Sequence, residues 1–356
     1  MKHLIIPLFI MNRGCPNRCV FCNERITAGD FDPAVEAPVF RHTVESHLAG
    51  GRGRFDRVQV AFYGGNFTGL DLGNQQELLD LVQPYLERKE VDSIRLSTRP
   101  DHIDEPGLRF LKARGVRTIE IGAQSMNDEV LRLAGRGHDA AAVRRSVTLL
   151  KEEGFETGIH LMAGLPGDNK ERFLEGVDEI IGLAPDTVRI HPTIVLRGTI
   201  LEKWYKEGRY HPLTLDEAVD LCAAALLRFK SAGIPVIRLG LHITDEMRES
   251  SNVVAGPLHP AFRSLAEEKL FLDAALELLK TIPPDAVEVR FSTSPRDLSL
   301  FKGTRKRNMD ALAKIRPGFT VTVDADPSLP RDTLKITVDR GRHERALGLP
   351  EILRAK

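Results

Sequence analysis

Short apolar runs alternate with amphipathic stretches along roughly the first 240 residues, and no other feature limits the possible fold so strongly. LIIPLFI (4–10), VQVAFYGG (58–65), SIRLSTR (93–99), VRTIEIGAQS (116–125), TGIHLMAGLPG (157–167) and TVRIHPTIV (187–195) are rich in β-branched residues and end in turn signals, as strands do. PVIRLGL (235–241) has the same character. Helical patterns lie between them. Leu78, Leu79 and Val82 precede Pro84, Leu108 and Leu111 precede Gly115, and Val143, Val147 and Leu150 precede Gly154. Phe173, Val177, Ile180 and Ile181 repeat the spacing, and Ala218 to Phe229 is a longer Ala- and Leu-rich helix followed by Gly233. Strand then helix, six times over, requires parallel strands joined by right-handed crossovers. The expected fold is α/β, a partial (β/α)6 TIM-type barrel whose chemistry sits at the C-terminal ends of its strands.

The regularity stops near residue 250. A helix (266–279), Pro283-Pro284 and a β-α-β-β pattern (AVEVRFST, RNMDALAK, GFTVTVD, TLKITVD) follow. The expected division is a barrel over 1–250 and a small α/β domain over 251–356. Lys+Arg and Asp+Glu both number 50, so no global basic field points to a nucleic acid or a membrane. The N-terminus MKHLIIPLFIMNRGC has an apolar run too short for a signal peptide with no cleavage site after it, and Arg13 argues against a lipoprotein site. No apolar run approaches the roughly 20 residues of a membrane span. The expected location is the cytoplasm, with reduced thiols and no membrane partner.

Three of the four cysteines, Cys15, Cys19 and Cys22, fall in the spacing C-x3-C-x2-C directly after the first strand, at the barrel's catalytic end. A structural zinc site takes four Cys or His ligands. His3 and His42 are not at finger spacing, and Cys222 sits in LCAAALL, the face of a buried helix. Three thiolates would leave one iron of a [4Fe–4S] cluster open for a substrate or cofactor. A zinc site with a remote fourth ligand and unligated reduced thiols stay open on the residues alone.

The motif, with Phe21 just before the third cysteine, resembles the radical S-adenosylmethionine (SAM) superfamily. That resemblance implies a cluster whose open iron chelates SAM, and a low-potential electron donor. Reductive cleavage of SAM to methionine and a 5′-deoxyadenosyl radical then follows. FYGGNFT (62–68) resembles the family's Gly-Gly motif and implies SAM contacts at Gly64, Gly65, Asn66 and Thr68. Relatives often have Glu, Thr or Ser where Asn66 stands. STRPD (97–101) resembles the segment that reaches the ribose, with Ser97 where relatives often have Glu. GAQSMNDEVLRLAGRGH (122–138) is similar to the coproporphyrinogen dehydrogenase and elongator-subunit branches, and implies that Gln124 contacts SAM and Arg136 pairs with its carboxylate. IHLMAGLPG (159–167) resembles the strand-five motif, with His160 in place of an Asp near the ribose.

RIHPTIVLRGTILEKWYKEGRY (189–210) resembles the elongator catalytic subunit, a tRNA-modifying enzyme, and no acetyl-CoA-binding motif is visible in residues 250 to 356. The resemblance over residues 1 to 245 therefore implies an elongator-like radical SAM enzyme without the acetyltransferase domain, acting on RNA and specifically tRNA. A small-molecule or tetrapyrrole substrate, and a haem- or cluster-carrying chaperone without turnover, are the alternatives. FKGTRKRNMDAL (301–312) resembles the GxxG loop and following helix of KH RNA-binding domains, with Lys306 in place of the second glycine. Lys302, Arg305, Lys306 and Arg307 are the candidate RNA-binding residues. A solvated basic turn is the alternative.

Overall fold

Alternation of inward and outward side chains builds the first part of the protein. In this computed structural model, which describes residues 2–353 apart from 12, 17, 29–34, 52, 250, 316–318 and 340–342, the strands of that part are β1 (His3–Phe9), β2 (Arg57–Tyr63), β3 (Ser93–Thr98), β4 (Val116–Gln124), β5 (Glu156–Ala163), β6 (Thr187–Pro192), β7 (Val195–Leu196), β8 (Val236–Leu239) and β9 (Val253–Ala255). Val60, Phe62, Ile94, Leu96, Ile119, Ile121, Val188 and Ile190 occupy the outward positions and are fully buried. Seven strands pair in the order β1-β2-β3-β4-β5-β6-β8, all parallel, as a curled half-barrel. β7 and β9 form a separate antiparallel ribbon. Helices follow the strands, and their first turns are capped from the sequence. Asp71, Asp104, Asn127, Asp139 and Asn169 each accept a hydrogen bond from the backbone N–H three residues on. Each such bond satisfies one of the donors a helix start leaves unpaired.

Contacts divide the chain into two compact units, Met1–Thr214 with Ile234–Leu258, and Leu215–Gly233 with His259–Lys356. The helix Leu215–Ser231, which lies inside the stretch expected to be barrel, packs on the helix Phe262–Leu279 of the second unit. That unit also holds β10 (Glu288–Thr293), β11 (Thr320–Ala325), β12 (Thr333–Val338) and β13 (His343–Gly348) in the order β11-β10-β12-β13. β10 runs parallel to β11 and antiparallel to β12. Its core includes Phe271, Phe291 and Phe301, the last two with ring centroids 5.2 Å apart. The expected β-α-β-β order is present, with a short helix Leu298–Lys302 and the edge strand β13 added. Residue 250 at the expected domain boundary, residue 318 at the expected strand start and residues 354–356 lie outside the described residues. No helix among the described residues is long and apolar enough to cross a membrane.

Candidate active site

The loop after β1 carries all three cysteines of the motif: Cys19 is buried, Cys15 partly buried and Cys22 accessible to solvent. It is tethered from several sides. Val20 N donates to Ala134 O (3.0 Å), Leu201 N to Val20 O (2.8 Å) and Asn23 Nδ2 to Arg197 O (2.7 Å). Phe21, expected near the cofactor, packs against two apolar clusters, one with Val20, Val195, Leu201 and Tyr210 and one with Val130, Ala134 and Leu165. It therefore wedges the loop between two neighbouring segments. The thiols sense one another. Burial first, then Glu24 and Cys19, push Cys15 up to about 11. Cys22, though accessible, is crowded enough that desolvation, then Glu24 and the other two thiols, raise its pKa further.

One amide ties this loop to the ends of β2 and β3. Asn66 is fully buried, and its Nδ2 donates to Gly14 O (2.8 Å) while its Oδ1 accepts from Thr98 Oγ1 (2.7 Å) and Arg99 N (3.0 Å). Its backbone N–H donates to Arg13 O (3.0 Å). The side chain expected to face SAM is thus engaged with the scaffold. Gly14 makes this possible: its φ is +76°, and a Cβ there would lie 2.2 Å from Asn66 O. Gly65 faces the same constraint, since its Cβ would lie 2.9 Å from Arg13 O. The glycines of FYGGNFT are explained in part by loop packing and not by cofactor approach alone. Thr68 bonds side chain to side chain with Thr98.

Gln124 and Arg136 do come together. A Cβ built on Gly122 would lie 3.1 Å from Gln124 Nε2 and 3.3 Å from Arg136 Nη2, so the missing side chain leaves a cradle between them. Gln124 takes φ +68°, unusual for a residue with a Cβ, and its Oε1 is buried without a hydrogen-bond partner. Arg136 Nη1 donates to Cys19 Sγ (3.1 Å), Nη2 to Gly122 O (2.5 Å) and Nε to His138 Nε2 (3.3 Å). His138 accepts as a neutral ring, because burial and then Arg136 lower it to about 4. Arg99 holds the Arg136 backbone through Nη2 to Arg136 O (2.5 Å), and Asp101 clamps Arg99 with bonds of 2.9 and 2.8 Å. Arg99 and Asp101 were read only as neighbours of Ser97, and their positioning of Arg136 was missed.

Inward positions form a polar network that sequence reading also missed. Gln59, Arg95, Glu120 and Arg189 link β2, β3, β4 and β6. Arg95 pairs with Glu120 and donates to Gln59 Oε1 (3.0 Å), and Arg189 Nη2 reaches Glu120 Oε1 (2.8 Å) and Tyr63 OH (2.7 Å). The signal was present as polar residues at every second position of R-I-H and I-R-L-S-T, with apolar residues between. Ser97 lies on β3 in register with Glu120. His160 Nε2 lies 2.8 Å from His191 Nδ1, and burial, then Arg189, lower His160 to about 3. A cavity of about 380 Å³ lined by Leu133, Leu165, Asp168, Trp204, Arg209 and Tyr210, among others, contains none of the cysteines, Gln124 or Arg136.

The site fits a cluster with SAM beside it. Among the described residues no three His, Cys, Asp or Glu side chains converge on a single ion, so no ready one-metal site is formed. A four-iron cluster takes its thiolates on separate irons, which suits three cysteines spread along one loop. The unsatisfied Gln124 Oε1 and the Gly122 cradle are the features a polar ligand would complete. Two family models match the chain: the Radical SAM superfamily over residues 9–180 and the Radical_SAM C-terminal domain over 185–271. The chain belongs to the radical SAM superfamily. Membership implies use of SAM and an iron–sulfur cluster. Among curated proteins this radical SAM chain is similar to tRNA uridine(34) acetyltransferase of Dehalococcoides mccartyi, 28% identical over 242 residues, covering 58% of this chain and 53% of that protein. It is 30% identical over 216 residues to human Elongator complex protein 3, covering 55% of this chain and 39% of that one. It thus spans about half the length of these relatives, or less. Among solved structures, the archaeal Methanocaldococcus infernus Elp3 with an N-terminal deletion superposes with a TM-score of 0.60 at 21% identity, covering 76% of this chain and 62% of that one.

In the second unit Arg305, Lys306 and Arg307 are exposed and Lys302 partly so. Gly303, Arg305 and Lys306 all have positive φ (72°, 54° and 64°), so Lys306 adopts a glycine-like conformation at the place of the second glycine of GxxG. The turn is built on the buried Glu268, which accepts from Thr304 N (2.9 Å) and Thr304 Oγ1 (2.8 Å) and lies 3.8 Å from Arg307. The Thr304 N–H is taken by Glu268 and the Lys306 N–H by Gly303 O, so cationic side chains are what the turn offers an anion.

Proposed function

We propose that this chain binds one [4Fe–4S] cluster through Cys15, Cys19 and Cys22, holds SAM across Gly64, Gly65, Gln124 and Arg136, and modifies RNA in the cytoplasm, with tRNA as the leading substrate class. The arrangement that supports this most is Arg136, which joins the buried Cys19 thiol to the cradle at Gly122 and Gln124. A cluster held by these three thiolates would supply, with a low-potential electron donor, the one-electron reduction that turns SAM into methionine and a 5′-deoxyadenosyl radical. The chain's own part is binding and orientation. A guanidinium has five N–H groups; Arg136 uses three inside the protein, and two remain for a carboxylate. Asp101 and Arg99 anchor the Arg136 backbone from which that fork extends. Ser97 and His160 face the same interior, where ribose hydroxyls would lie. The tRNA reading is supported by the names of the curated relatives and by the match to their SAM-binding half. We also read the two compact units as a radical SAM barrel and an accessory domain.

Arg136→Ala should weaken SAM binding by about 1.5–3 kcal/mol, the range for a charge-assisted hydrogen bond. Gly122→Val, which fills the cradle, should weaken it as well while iron content stays at the wild-type level. Equilibrium dialysis of SAM on reconstituted protein measures both. Unchanged affinity in the two variants would place SAM elsewhere. Release of 5′-deoxyadenosine by reduced protein separates an enzyme from a cluster-carrying chaperone.

RNA capture by the second unit rests on Lys302, Arg305 and Lys306, since Arg307 is partly neutralised by Glu268. Changing all four basic residues to Gln should flatten the logarithmic salt dependence of tRNA binding by about 2–3. An unaltered slope would leave the turn as ordinary solvated surface.

A further inference from the structure

Among the described residues, the inner face of the half-barrel carries more positive charge than the carboxylates within ion-pair distance balance. Arg189 on β6 and Arg238 on β8 are lateral neighbours in register. Arg189 is held by Glu120 and Tyr63, and its guanidinium stacks over the Tyr63 ring at 5.0 Å, yet its Nε is buried without a partner. Glu120 is already shared with Arg95. Arg238 has no carboxylate within 4.0 Å among the described residues, and it is only partly exposed. Burial first, and then Arg189 beside it, lower its pKa. Next to the pair, His191 on β6 bonds His160 through Nδ1, while its Nε2 is buried with no partner. His160 is in register with Arg189. Burial and the neighbouring groups keep both imidazoles neutral, so neither adds charge nor cancels it.

Keeping a partly buried guanidinium beside another with no counter-charge is costly unless something supplies the anion. Three unsatisfied or unpaired groups, Arg238, Arg189 Nε and His191 Nε2, face the same interior. We propose that Arg238, Arg189 and His191 form an oxyanion subsite that takes a carboxylate or phosphate group of the molecule presented to the radical. Two guanidiniums side by side suit an anion with several acceptor oxygens. The neutral tautomer with its proton on His191 Nε2 adds a third donor. This rests on the reading of the barrel interior as the reaction chamber. It adds that the substrate, or a small co-substrate, enters with a compact anionic group directed toward β6 and β8. The anion could belong to a free small molecule or to a nucleotide within RNA.

Inorganic phosphate and acetate serve as probes on the reconstituted full-length protein. Either should raise the unfolding midpoint of wild type and shift the ¹⁵N signals of His191 and His160. In Arg238→Gln both responses should weaken by about ten- to a hundredfold in apparent affinity, the loss expected for one charge-assisted bond. Removing an uncompensated charge should leave that variant folded at least as stably as wild type without the probe. Competition by a nucleoside 5′-monophosphate but not by a dinucleotide would assign the anion to a small molecule, and equal competition would assign it to RNA. Imidazole signals that never respond to millimolar phosphate or acetate would overturn the subsite. So would a phosphate that competes with SAM, with Arg238→Gln losing SAM instead, for the arginines would then hold the SAM carboxylate. Failure of the enzyme reading shows separately, as absence of 5′-deoxyadenosine.

Discussion

Alanine at Cys15, Cys19 or Cys22 is expected to abolish iron loading. Each thiolate would hold a different iron, so the loss of one leaves its iron without a protein thiolate. Cys19 is the most demanding of the three. It is buried and receives the Arg136 N–H, so its removal also frees the guanidinium proposed to meet SAM. Cys222→Ala should keep a full cluster, since that thiol is fully buried on the helix Leu215–Ser231 of the second unit, whereas the three motif thiols share one loop of the first. Iron and sulfide analysis after anaerobic reconstitution, with electron paramagnetic resonance of the reduced protein, checks all four variants. Full iron in the triple alanine variant would refute the assignment, and one stoichiometric zinc in protein purified without oxygen would favour a structural metal.

Asn66→Ala is expected to cost about 3 kcal/mol or more of stability. The deletion leaves Gly14 O, Arg99 N and Thr98 Oγ1 without the amide that now joins them, and the site is fully buried. Each unsatisfied buried group costs about 1–3 kcal/mol, offset where water can enter. Asn66→Asp should not rescue it, because a carboxylate has no N–H for Gly14 O and would bury a charge. Cluster assembly should fall along with stability, since Gly14 immediately precedes Cys15. Denaturant unfolding of the apoprotein and iron content after reconstitution are the two measurements. A loss of SAM affinity at normal stability would instead restore the role expected from the motif, a direct cofactor contact.

These two predictions differ in how legible they were. The cysteine spacing and its place after the first strand could be read directly, because three thiols within eight positions are a local pattern. Asn66 is expected from the motif as a SAM contact, at a position where relatives often have another residue, and nothing near it in the chain says that it reaches Gly14, 52 positions away. Strand β13 was missed for another reason: its sequence HERALG is largely polar at an edge, without the alternating apolar face that marks β10 and β12. The helix Leu215–Ser231 was recognised as a helix, yet no periodicity shows that its apolar face packs on Phe262–Leu279.

Local periodicity and spacing, read from the sequence alone, determined the order of strands and helices, the parallel half-barrel and the position of the three-thiol loop at its catalytic end. Those features follow from steric and hydrophobic preferences that act over a few residues. Tertiary structure alone decided that Arg136 meets Cys19 across 117 positions, that Arg189 meets Tyr63 across 126, and that Arg238 stands beside Arg189 with no carboxylate within 4.0 Å among the described residues. An inward polar residue on a strand looks the same in sequence whether it ends in solvent, in an ion pair or against a ligand. Only closure of the sheet, which brings distant strands to a common interior, separates these outcomes.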